Sequence, residues 1–193
     1  MRAWRQFLRS WLDGGVDRGG GEEMIDVPLG MTKDQIRTIE KGMFFGVSEL
    51  GSKYPGISSM YFRDIVAGLD TRIYYLLSQK GEVFKILYLF QKDHVDKNLC
   101  IADHLKIRAM LIKLCGQPRV DGQIWDIDFY RDKPEEWGEA IAYGHMYYVT
   151  RWEEGDRVIR LMLHGVNRKV RHRLTFTDTK RLQAVRRELG KAV

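Results

Sequence analysis

The chain has 193 residues and a mass of 22.6 kDa, and its composition is 44% hydrophobic, 30% charged and 11% aromatic, which fits one sizeable globular core and excludes disordered and fibrous classes. No apolar run approaches the roughly eighteen residues needed to cross a bilayer as a helix, so no transmembrane segment is expected. The net charge of +6 is unevenly placed: residues 151–193 carry twelve Lys/Arg against five Asp/Glu, and the rest of the chain is slightly acidic.

In residues 1–13, Trp4, Phe7, Leu8, Trp11 and Leu12 recur at helical spacing, with Arg2, Arg5 and Arg9 on the opposite side. The pattern predicts a short amphipathic docking helix, tethered by a Gly-rich linker over residues 14–23. A helix of this length is marginal alone in water and needs a surface to bury its stripe. A protein partner, a second copy of the chain or a peripheral membrane surface would serve. There is no continuous apolar stretch or small-residue cleavage site of a secretory leader. A cytoplasmic location is expected, with membrane-peripheral or organelle-targeted placement as the alternative, because the segment is Arg-rich and free of acids before Asp13.

Residues 24–193 read as a single domain. Met24–Val27 is a strand candidate stopped by Pro28. Thr32 and Gln35 form a capping box, Asp34 suits the positive helix end, and Ile36, Ile39 and Met43 give a buried stripe that Gly42 or Gly46 ends. Three strands are expected over Tyr61–Ala67, Thr71–Ser78 and Glu82–Phe90, with turns at Gly68 and Gly81. A largely apolar helix follows from Asn98 to Cys115, stopped by Gly116 and Pro118.

The second half predicts strands over Ile124–Tyr130, Tyr143–Trp152, Arg157–His164 and Val170–Thr177. A final helix is capped by Asp178, with Leu182, Val185 and Leu189 turned inward. Gly81 and Gly155 are 74 residues apart, as are Gly116 and Gly190, a spacing that suggests a duplicated hairpin-helix layout. The fold class that follows is α+β: an antiparallel sheet of six to eight strands with helices packed on one face.

Gly30-Met31-Thr32-Lys33-Asp34-Gln35-Ile36 resembles the Gly-Met-Thr helix start of the small BamE/SmpA-type outer-membrane lipoproteins, and Leu114-Cys115-Gly116-Gln117-Pro118 with Trp125 resembles their Leu-x-Gly-x-Pro…Trp segment. About eighty residues separate pieces that are nearly contiguous in that family, and the lipid-carrying cysteine is missing. The resemblance implies a non-enzymatic α+β scaffold that binds protein partners.

For chemistry, Cys100 and Cys115 lie about four turns apart in one predicted helix, too far to pair, and read as buried small hydrophobes. Asp126 and Asp128 would project together from a strand, a geometry that holds a divalent ion or simply faces water. The five histidines show no ligand spacing, and only His145 and His164 are expected on neighbouring strands. No phosphate loop, dinucleotide fingerprint or nucleophile elbow is present, so no enzyme, cofactor or metal is predicted. Adjacent tyrosines, Tyr74-Tyr75 and Tyr147-Tyr148, must face opposite sides of a strand, which puts one set on a surface.

Two functions follow. The first is a non-catalytic binding or assembly protein that engages a partner, or its own oligomer, through Trp4, Phe7, Leu8, Trp11 and Leu12. The alternative is nucleic-acid binding by the basic region 157–193, with Arg168, Lys169, Arg171, Arg173, Arg186 and Arg187 as the contacts.

Overall fold

The computed structural model describes residues 27–40, 42–50 and 54–190. The stripe Trp4, Phe7, Leu8, Trp11 and Leu12 and the linker after it lie outside them. The elements in chain order are α1 (Lys33–Ile39), β1 (Met43–Glu49), β2 (Ser58–Val66), β3 (Leu69–Leu77), β4 (Val83–Phe90), α2 (Asn98–Cys115), β5 (Val120–Trp125), α3 (Trp137–Tyr143), β6 (Met146–Glu154), β7 (Arg157–Val166), β8 (Lys169–Asp178) and α4 (Thr179–Glu188). The strands form one antiparallel sheet of eight in the order β1-β2-β3-β4-β8-β7-β6-β5. Each half is a four-strand meander, and β4 pairs with β8 at the centre. No helix among the described residues is long and apolar enough to cross a membrane.

Strands β2, β3 and β4 have counterparts in β6, β7 and β8 about 88 residues further along the chain. Met146 follows Ser58 by that number, and Glu154 follows Val66 by the same. Inward-facing Met60, Phe62, Ile73, Tyr75, Ile86 and Tyr88 then correspond to Tyr148, Thr150, Leu161, Leu163, Leu174 and Phe176. The 74-residue match of glycines is one strand out of register, since Gly81 closes β3–β4 whereas Gly155 closes β6–β7. Tight hairpin turns draw glycine whichever strands they join, so a glycine match cannot say which hairpin it belongs to.

The main core lies between the sheet and α1 and α2. Ile36, Ile107 and Leu111 pack with Met60, Ile73, Tyr75, Ile86 and Leu174, all under 2% exposed. Each such side chain contributes on the order of 1.5–3 kcal/mol by leaving water. Gln35 accepts a bond from the Thr32 amide at 2.9 Å, so the expected capping box opens α1. On the same face, α3 joins a second cluster in which Ala140 and Ile141 meet Cys100, Met146 and Leu163. Arg108 on α2 reaches the edge strand, where Asp121 accepts from its Nε at 2.7 Å and from Thr150 Oγ1 at 3.1 Å.

Four expectations are corrected. Residues 43–49 continue no helix: α1 stops at Ile39, and Met43-Phe44-Phe45 with Val47 pair along β2, where aromatic and β-branched residues are favoured. The segment after Trp125 leaves the sheet in a short 3-10 turn at Asp128–Tyr130, so Asp126 and Asp128 share no strand; the Asp126 amide bonds to the His145 carbonyl and the Asp128 carboxylate to Arg131 at 3.0 Å. Tyr143 ends α3 rather than starting a strand. Finally, the helices do not all share one face. Val185, Leu182 and Leu189 of α4 pack on Ile57, Leu76 and Phe84. Leu76 on β3 and Ile57, just before β2, are out of phase with the inward residues of those strands, which puts α4 on the opposite face. A bulge between Leu76 and Leu77 turns Phe84 to that side too. Asp178 caps α4 as expected, accepting from the Arg181 amide at 2.8 Å.

The segments that resemble the lipoprotein motifs fall at the start of α1 and across the end of α2 into β5. Asn98 opens α2 but pins another segment: its side-chain oxygen accepts from the Gly138 amide at 2.9 Å, and its amide donates to the Glu135 carbonyl. Helix α3 lies so close to β7 that a Cβ on Gly165 would sit 1.8 Å from the Ile141 carbonyl oxygen. Gly165→Ala is expected to cost about 3 kcal/mol or more through forced backbone separation. At this chain length that lowers Tm by roughly 6–12 °C in a thermal melt. Gly122→Ala, where an added methyl meets nothing within 4 Å, should stay within about 0.5 kcal/mol.

Candidate nucleic-acid interface on the open sheet face

Strand alternation sends every second side chain to the face away from α1, α2 and α3. Among the described elements only α4 packs there, at one corner. The registers line the remaining positions into rows across the strands. One row runs Tyr61, Tyr74, Leu87, Thr175, Arg160, Arg151. The next runs Arg63, Arg72, Leu89, Arg173, Met162, Val149, and a third brings Arg171 beside His164.

The face has an aromatic end and a basic end. Phe45 stacks on Tyr61 with centroids 5.0 Å apart and an interplanar angle of 27°, and Tyr61 stacks on Tyr74 at 5.0 Å and 9°. Beyond the aliphatic floor of Leu87, Leu89 and Met162 stand Lys85, Arg160, Arg171 and Arg173, with Arg186 reaching in from α4. None of these five has a carboxylate within 4 Å among the described residues. Among the described residues, the acids that the strands place on this face are engaged: Asp70 with Arg63 at 2.5 Å, and Glu153 with Arg119 and Arg151, each at 2.5 Å, while Glu82 pairs with Arg181 of α4 at 3.2 Å.

The cations sense one another. Partial burial, and then Arg173, Arg160 and Arg186, push the Lys85 ammonium below its ordinary range. The Arg173 guanidinium is lowered by burial and by Arg160, and donates only a 3.5 Å contact to the Met162 sulfur. His164 is likewise lowered by burial and by Arg173 and Arg171. Repelling like charges held at neighbouring register positions destabilise a sheet unless an anion comes between them.

Of the basic residues expected from sequence, Arg171, Arg173 and Arg186 come together here. Arg168 does not: it sits at the β7–β8 turn, 5.4 Å from the ring centroid of Tyr143 on α3. Lys169 opens β8, and Arg187 is exposed on α4. Lys85, Arg151 and Arg160 were outside the expected set. Their position depends on strand register across the sheet, though alternation within Glu82–Phe90 could have flagged Lys85 as the charge on its outward side.

A second cluster is buried beneath the sheet. His104 on α2 and His172 on β8 face each other at 5.3 Å between ring centroids, with Phe90 4.5 Å from His172 and Tyr148 5.3 Å from His104. Both His104 nitrogens and His172 Nε2 lack hydrogen-bond partners among the described residues. His145 and His164, the two histidines expected on neighbouring strands, do not meet: His164 faces outward and His145 precedes β6, beside Tyr130 and Tyr143. Among the described residues no group of three His, Cys, Asp or Glu converges as a metal-ligand set. Cys100 is a buried thiol pushed up chiefly by burial, the opposite of an activated nucleophile.

No protein-family model, curated protein or solved structure matches this chain.

The imidazole pair makes stability depend on pH. Burial, and then Arg108, push His104 down to about 4, with Asp121 opposing, and burial and His104 drive His172 the same way. Because the unfolded chain binds these protons near pH 6.5, stability is complete above that value and is lost as pH falls toward 4. Between pH 7.5 and 4.5 the loss from His104 alone is about 2–3 kcal/mol. Urea melts across that range should show it, and His104→Phe should flatten the profile. An unchanged wild-type midpoint would contradict a neutral buried pair.

Proposed function

We propose that this protein binds nucleic acid on the open face of its sheet. One observation supports the reading above others: Lys85, Arg160, Arg171 and Arg173 are gathered on one face without acidic partners among the described residues, beside a row of stacked aromatic rings. The nearby acids are consumed by other arginines, so the face offers uncompensated positive charge to an extended anion. Phosphate contacts supply affinity, and side chains standing up from a sheet track a backbone lying across the strands. This reading keeps the basic C-terminal strands as contacts, adds Lys85 and Arg160, and drops Arg168.

Fluorescence anisotropy with a labelled twenty-nucleotide oligomer tests it. Micromolar binding that weakens steeply from 50 to 200 mM salt is expected. The double variant Arg160→Gln/Arg173→Gln should weaken binding and reduce the slope of log K against log salt by about 1.4, at about 0.7 per phosphate contact on a single strand. Arg168→Gln should change neither. Undetectable or salt-independent binding by the wild-type protein would remove the reading.

A further inference from the structure

We propose that the open face selects single-stranded nucleic acid by seating a base against the free side of the Tyr74 ring, above Leu87, with the adjoining phosphates on Arg160 and Arg173. The inference rests on the nucleic-acid reading and names its substrate class. It is carried by the way the ring stack ends. Phe45, Tyr61 and Tyr74 continue one another across β1, β2 and β3, with centroids 5.0 Å apart at each step and the Tyr61 and Tyr74 rings nearly parallel. The next residue in the same row, on β4, is Leu87 rather than a fourth ring.

A leucine is shorter than a tyrosine, so the outer part of the Tyr74 ring stands above its neighbour and presents a π face toward the sheet centre. The ledge is walled by an aromatic ring, floored by Leu87 and Leu89, and followed along the row by Thr175 and then Arg160. Tyr74 and Leu87 are both half-buried rather than sealed off. With strands about 4.8 Å apart, Arg160 lies about 14 Å from Tyr74 across three strand steps. Arg173, paired with Leu89, is nearer. A base on the ledge therefore has phosphates within reach of both guanidiniums. Paired bases in a duplex are stacked on each other and cannot take this place, whereas an unpaired base has both faces free. Two tyrosines stacked merely to shield a sheet would require no cations beyond them, and the uncompensated basic end is the independent feature that points to an anionic ligand.

The test compares a twelve-residue oligothymidylate with an abasic oligodeoxynucleotide of equal length, which keeps every phosphate and lacks the bases. For the wild-type protein the thymidylate should bind roughly 5- to 150-fold more tightly, the range expected for stacking of one base. Tyr74→Leu should erase that difference and leave abasic binding unchanged, and Tyr74→Phe, which keeps the ring, should preserve it. Equal affinity of the two oligomers for the wild-type protein overturns base seating while leaving the polyanion reading intact. Binding of neither overturns both. The wild-type comparison needs no variant, so the outcome does not depend on Tyr74→Leu folding.

Discussion

The pairing of β4 with β8 is the contact on which the rest of the molecule depends. Six registered residue pairs, from Lys85 with Thr177 to Phe90 with His172, weld two four-strand meanders into one continuous sheet. On the inner side the pair carries Ile86 beside Phe176 and Tyr88 beside Leu174, with the Tyr88 and Phe176 rings 5.9 Å apart. Its end places His172 against Phe90 and beneath His104, joining α2 to the seam. On the outer side the same pairs set Leu87 by Thr175 and Leu89 by Arg173, so the aromatic end of one half continues into the basic end of the other. Neither half alone has that surface.

The two faces obey different physics. The inner face is a close-packed core in which burial pushes the two imidazoles toward their neutral form. The outer face keeps cations at neighbouring register positions, where partial burial and then the neighbouring positive charges lower Lys85 and Arg173. Such an arrangement lowers stability rather than raising it. Placing α4 on this side, rather than with the other helices, adds Arg186 to the group while its apolar stripe covers Ile57, Leu76 and Phe84. The helix therefore closes one corner of the face and reinforces the charge of the rest.

Much of the fold was legible because local rules and tertiary context agree. The apolar run from Asn98 to Cys115, stopped by Gly116, forms one helix with those bounds, and the alternating segments after Met60 and Arg157 are strands. The Asp178 cap was readable from its type and position alone. Legibility failed where short segments had competing local preferences. Met43-Phe44-Phe45 is equally a helix stripe and a strand, and the presence of β2 as a pairing edge decides for the strand. Asp126 and Asp128 alternate like strand residues, but chain reversal near His145 pulls them into a turn.

The α+β class, the long helix, the concentration of basic residues after position 150 and the opposite facing of Tyr74 and Tyr75 can all be read along the chain. These are consequences of periodicity and composition, which neighbouring residues set. Which strands adjoin, the correspondence of β2, β3 and β4 with β6, β7 and β8 at 88 residues rather than 74, and the meeting of Lys85 and Arg160 with Arg173 beyond a stack of rings all come from tertiary packing. So does the approach of His104 to His172 beneath the sheet. Register between strands far apart in the chain is fixed by the packing of whole faces against helices, so no local pattern encodes it.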